Sequence, residues 1–172
     1  MFKGVVLHIA RFIVLLLVQG LIINELDLGS NIRPMIYLLA ILLLPVEIPS
    51  WAIMFIAFAY GVCVDMFTST IGLHTSACIL IAFFRPNIMR LIAPRDGYEP
   101  GVSPTLSHMG WQWFISYAGI MILIHHTWLF FLEVFNFSYM WSTFARVALS
   151  SMVSLVGLVL IQYLFFRATS RS

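Results

Sequence analysis

The stretch "GVCVDMFTSTIGLH", Gly61–His74, sets a carboxylate, Asp65, and an imidazole, His74, inside a strongly apolar run. An acid in such a setting is a helix cap near an interface, a charge paired within a bundle, or a site. Glu133 and Arg146 are the other charged residues that border apolar runs in the second half of the chain. His125 and His126 are adjacent, so on a helix they point about 100° apart. Helical metal pairs are spaced four apart, and these two read as hydrogen-bonding residues. Cys63 and Cys78 lack metal-ligand spacing and read as small core residues. There is no HExxH, no GxSxG, no phosphate-cradling glycine loop and no second inward acid at catalytic spacing. The expectation is a protein that is not an enzyme, with no cofactor and no metal.

The elements that hold these residues must be helices in lipid. The 172 residues are 62% hydrophobic and only 9% charged, with a mean hydropathy of +1.01. A soluble domain carries about 25% charged residues. A net charge of +2 argues against nucleic acid as a partner. We expect an all-α integral membrane protein with one domain, 1–172, and six transmembrane helices. A spanning helix needs roughly 17–25 mostly apolar residues. The runs are 5–24, 34–48, 50–67, 72–84, 113–135 and 143–166. The first resembles a signal-peptide core, but no small-x-small cleavage site follows it, so it reads as a span.

Charge bias orients the six. Lys3, Arg90, Arg95, Arg167 and Arg171 fall on one side and Arg33 on the other, which places both termini in the cytoplasm. Pro45 and Pro49 bracket an inner turn. Arg85-Pro86 ends or kinks the fourth span, and 87–94 follows as an interfacial extension. A cytoplasmic loop, 95–111, carries Arg95 and the turn glycine Gly97. Arg85, Pro86 and Arg90 are assigned to the same cytoplasmic loop, where Arg90 and Arg95 can pair with anionic lipid heads. Trp111 and Trp113 read as interfacial anchors.

Asp65 lies roughly 22 Å along its helix, in the outer third. Ala57, Gly61 and Asp65 share one face, where small residues let a second backbone approach. His74, Glu133 and Arg146 fall at similar depth, so an outer polar cluster of Asp65, His74, Glu133 and Arg146 is expected. Ser150, Ser154 and Gly157 form a second small-residue face on the sixth helix. Arg11 lies in the inner half of the first helix and can snorkel inward.

The run "PVEIPSWAIMFIAFAYGVCVDMFTSTIGLHTSACILIAFFRP" resembles the central signature of the rod shape-determining MreD family. The residues that carry the likeness are Pro45, Pro49, Gly61, Asp65, Ser69, Gly72, Leu73 and His74, with the Arg85-Pro86 break and "RDGYE" beyond. The resemblance implies a non-enzymatic scaffold in the bacterial inner membrane, part of the elongation machinery for peptidoglycan synthesis. Its partners would be an MreC-like bitopic protein and, indirectly, an MreB-like actin, a RodA-like glycosyltransferase and its transpeptidase. Docking would use the small-residue faces at Ala57–Gly61 or Ser150–Gly157. The family is similar in fold to the substrate-binding subunits of energy-coupling-factor vitamin transporters. That similarity implies an alternative, a vitamin-type binding subunit, although the Ala-x-x-x-Ala motif of such subunits fails here, with Val14 four residues after Ala10. An intramembrane hydrolase is a third class.

Overall fold

The computed structural model describes residues 2–26, 32–99 and 101–166. Arg167 and Arg171, counted in the charge bias, lie outside them. The chain is all-helical: α1 Phe2–Leu21, α2 Leu38–Leu42, α3 Ser50–Thr68, α4 Leu73–Leu91, α5 Leu106–Met109, α6 Trp111–Val134 and α7 Met140–Phe166. Four helices, α1, α3, α6 and α7, are long and apolar enough to cross a membrane. α4 has 19 residues, but its last two turns carry Arg85, Asn87 and Arg90. Side chains such as Phe55, Met66, Met152 and Leu164 stand outward and exposed. An apolar surface of that kind suits lipid.

The five long helices pass back and forth between two ends. One end holds the start of α1 and the finish of α7, and is called the near end below. α3 and α4 form an antiparallel pair through the turn 69–72, where Ser69 and Gly72 both adopt positive φ. Gly61 sits at their crossing. A Cβ there would lie 2.5 Å from the Thr75 backbone, so only glycine admits this approach. At the far end Gln19 donates to Asn24 Oδ1 and to Pro34 O, and Phe12 packs edge-on to Tyr60.

The run 34–48 does not form a spanning helix. It coils for only five residues, Leu38–Leu42, and residues 34–44 are buried throughout. Residues 32–35 lead without regular structure into the short helix, which turns again at Leu43. The run reaches from Gln19 and Ser154 to Arg85 and Tyr117. It forms a pillar up the middle of the bundle, touched by α1, α4, α6 and α7.

Three other expectations change. α4 continues through Pro86 to Leu91, so Arg85-Pro86 does not break it, and 87–94 is not a separate interfacial helix. Arg85, Pro86 and Arg90 consequently belong to a helix and not to the cytoplasmic loop. Arg85 is in fact 1% exposed. Trp113 is not a free lipid anchor, because its indole N–H donates to Ile92 O at 2.8 Å. Tyr98 OH donates to Met89 O at 2.6 Å, so the segment after α4 is folded back onto the helix end. Partial burial holds the Tyr98 phenol above its usual pKa.

Replacing Gly61 by leucine forces α3 and α4 apart. Overpacking of this kind costs about 1–3 kcal/mol. Thermal unfolding of the detergent-solubilised variant is expected several degrees below wild type, whereas Met66→Leu on the outward face of the same helix leaves the midpoint unchanged.

Candidate functional site

Backbone that is not helical must find hydrogen bonds, and within lipid it can do so only inside protein. The pillar obtains them from side chains on its neighbours. Gln19 of α1 accepts from the Ile36 amide at 2.8 Å through Oε1 and donates to Pro34 O at 3.1 Å through Nε2. Ser150 Oγ of α7 accepts from the Arg33 amide at 3.0 Å. One turn on, Ser154 Oγ accepts from the Met35 amide at 2.9 Å. At the pillar's other end Tyr117 OH of α6 donates to Leu42 O at 3.2 Å. The buried guanidinium of Arg85 donates to Leu44 O and, at 2.9 Å, to Tyr117 OH.

Below the amide contacts lies a chain of rings. Tyr37 OH stands 2.9 Å from His74 Nδ1 and 2.8 Å from His125 Nε2. His126 Nδ1 is 2.9 Å from Ile122 O, and its Nε2 is 3.2 Å from Ser154 Oγ. A carbonyl only accepts, so His126 carries its proton on Nδ1. Its Nε2 then accepts from the Ser154 hydroxyl, whose oxygen accepts from Met35. The two adjacent histidines thus face different partners, both within the pillar's surroundings. Among the described residues no group of three metal-ligating side chains converges.

Asp65 has a local task. Gly72, at the N-cap of α4, has no side chain to satisfy the first amides of the helix. Asp65 supplies one from α3. It accepts from the His74 and Thr75 amides, each at 3.0 Å, and from the Thr75 and Thr70 hydroxyls, each at 2.5 Å. The carboxylate is an N-cap delivered in trans, with its charge at the positive end of the α4 dipole.

The expected cluster of four therefore divides. Asp65 meets the His74 backbone and not its ring. The His74 ring turns to Tyr37. Glu133 forms ion pairs with Arg146 at 3.0 Å and with Arg33 at 3.1 Å, and Arg146 also lies 4.3 Å over the Phe130 ring. The Arg33 side chain is 60% exposed, which limits that pair to about 0–1 kcal/mol. The small-residue faces are internal as well. Ala57 is fully buried, with Gly61 against Thr75. Ser150 and Ser154 hold the pillar, and a Cβ on Gly157 would contact Ile36 at 3.4 Å. Gly61 and the two serines are covered from within the chain, while Gly157 is half-buried. Arg90 and Arg95 lie at the near end and are exposed, as is Gly97, whose φ is +77°.

Gln19, Tyr37, Thr70, Thr75 and Tyr117 escaped the sequence reading, and Arg33 entered it only as a charge in the orientation bias. Gln19 could have been suspected, as an amide within the apolar run "FIVLLLVQGLII". The chain matches no family model, and neither the curated proteins nor the solved structures contain a match to it.

Asp65→Ala removes the acceptor of four buried or half-buried donors. Hydrogen bonds to a charged group are worth about 1.5–3 kcal/mol, and orphaned donors add to the loss. The variant is expected to unfold at distinctly lower temperature. Asp65→Asn, which keeps one acceptor oxygen, falls between it and wild type. Equal stability of all three proteins would remove the capping role.

Proposed function

We propose that the chain is a non-enzymatic scaffold of the MreD type in the bacterial inner membrane, with both termini in the cytoplasm and six passes through the bilayer. The observation that supports this reading is the construction of the signature run itself. Gly61, Asp65, Gly72 and His74, which carry the resemblance, build one joint. Glycine brings α4 against α3, Asp65 caps α4, and His74 locks its first turn to the pillar through Tyr37. A motif that makes a rigid joint and presents no reactive group suits a protein that acts by its shape.

On this reading the partner is an MreC-like bitopic protein, and through it the MreB-like actin, the RodA-like glycosyltransferase and its transpeptidase. Docking uses outward faces, since the small-residue faces are occupied within the chain. The α3 stripe of Trp51, Phe55, Phe58, Val62 and Met66 is exposed along its length. Arg90 and Arg95 face the cytoplasmic headgroups, where anionic lipid favours them.

Tagged protein recovered from its native membrane in mild detergent should bring down an MreC-like bitopic protein together with wall-synthesis enzymes, identified by mass spectrometry. Recovery of an ATPase pair with a coupling subunit, and no wall proteins, would overturn the scaffold and favour the vitamin-type binding subunit.

A further inference from the structure

A cavity of about 530 Å³ opens at the far end of the bundle, between α1, α3, the start of α4, the finish of α6 and the top of the pillar. Pockets of roughly 300–1,000 Å³ hold small molecules. Its walls combine Phe67 and Leu129 with the polar groups of Asn24 and Thr70, and His74 and Tyr37 lie in its lining. His74 is 7% exposed. Its Nδ1 is taken by Tyr37, while Nε2 has no partner among the described residues and is not enclosed by protein as His125 Nδ1 is.

The ring chain decides what His74 offers. Tyr37 OH has one proton and sits between two ring nitrogens. Its other acceptor, Met35 Sδ at 3.9 Å, is a weak thioether, so the phenol proton goes to a ring nitrogen. Two arrangements then satisfy it. In the first, His74 Nδ1–H donates to Tyr37, which donates to His125 Nε2. The proton of neutral His125 then sits on Nδ1, which is buried without a partner. In the second, His125 Nε2–H donates to Tyr37, which donates to His74 Nδ1. The orphan on His125 is then a bare lone pair. A buried N–H without an acceptor is the rarer defect in proteins. The second arrangement is favoured, and it leaves the His74 proton on Nε2, on the cavity side.

We propose that this cavity binds a small uncharged molecule that places an amide-type or carbonyl-type oxygen on His74 Nε2–H. The charges at the mouth support an uncharged ligand. Arg33 and Glu133 are already paired, and Glu25 adds a carboxylate that repels anions. Away from the mouth the lining carries no charged side chain, and nearby Asp65 is turned to the α4 amides and the threonine hydroxyls. This site is independent of the scaffold reading, since a docking protein can hold a ligand or hold none.

Ring-nitrogen NMR of the full chain, labelled with ¹⁵N-histidine in detergent, tests the proposal, with N-methylacetamide as the probe. His74 and His125 are expected as the Nε2–H tautomer and His126 as Nδ1–H. The amide should shift His74 Nε2 in a saturable way and leave His126 unmoved. Leu73→Trp, which fills the cavity from its wall, should abolish the response while the His126 signal keeps its position. A His74 proton on Nδ1, or no saturable shift in the wild type, overturns the proposal without touching the scaffold.

Discussion

A stretch of chain with a single short helix, Leu38–Leu42, stands in the middle of an apolar helical bundle, and the backbone at both ends of that helix must be paired there. In a medium without water each unpaired amide or carbonyl costs several kcal/mol. Five polar residues in the interior answer that demand. Gln19 and Ser154 take amides near the top of the pillar, Ser150 takes the amide of Arg33, and Tyr117 and Arg85 supply donors for carbonyls at its base. The histidines extend the same network sideways. The helices are held in place as much by these obligations as by their apolar contacts.

This changes how the charged residues are to be understood. Arg85 is buried beside neutral acceptors, the Leu44 carbonyl and the Tyr117 phenol. Asp65 serves the first turn of α4, whose own N-cap is a glycine. Each is a polar group spent on structure, and in lipid such groups hold their partners strongly because water does not compete. The result is a stiff interior with one open end, bounded by the Arg33–Glu133–Arg146 ion pairs. That stiffness, with apolar outer faces, supports the scaffold proposed above.

Composition made the helical membrane character legible, and the limits of the long apolar runs follow α3, α6 and α7 to within a few residues. The close approach at Gly61 was also readable, because a small residue four before an acid has few other uses in a span. The pillar was not. "PMIYLLAILLL" is apolar throughout, and an apolar run carries no mark of whether its own backbone or its neighbours satisfy the amides. The same ambiguity hid the roles of Ser150 and Ser154, whose spacing suits helix packing and backbone capture equally. Pro86 misled because the rule against helix before proline is a tendency that a buried Arg85, held from two sides, can override. The division of the expected four-residue cluster followed from depth alone being known: Asp65 and Glu133 lie at one level but face different neighbours.

Amide hydrogen exchange in the full chain tests the central claim most directly. The account predicts slow exchange at Met35, Ile36 and Tyr37 in the wild type although none lies within a long helix. Gln19→Leu, which keeps the bulk and removes the acceptor, should speed exchange at Ile36 and Tyr37 while the amides in the middle of α3 and α6 stay protected. Fast exchange at these positions in the wild type, or protection unchanged by the loss of Gln19, would contradict a pillar held by side chains.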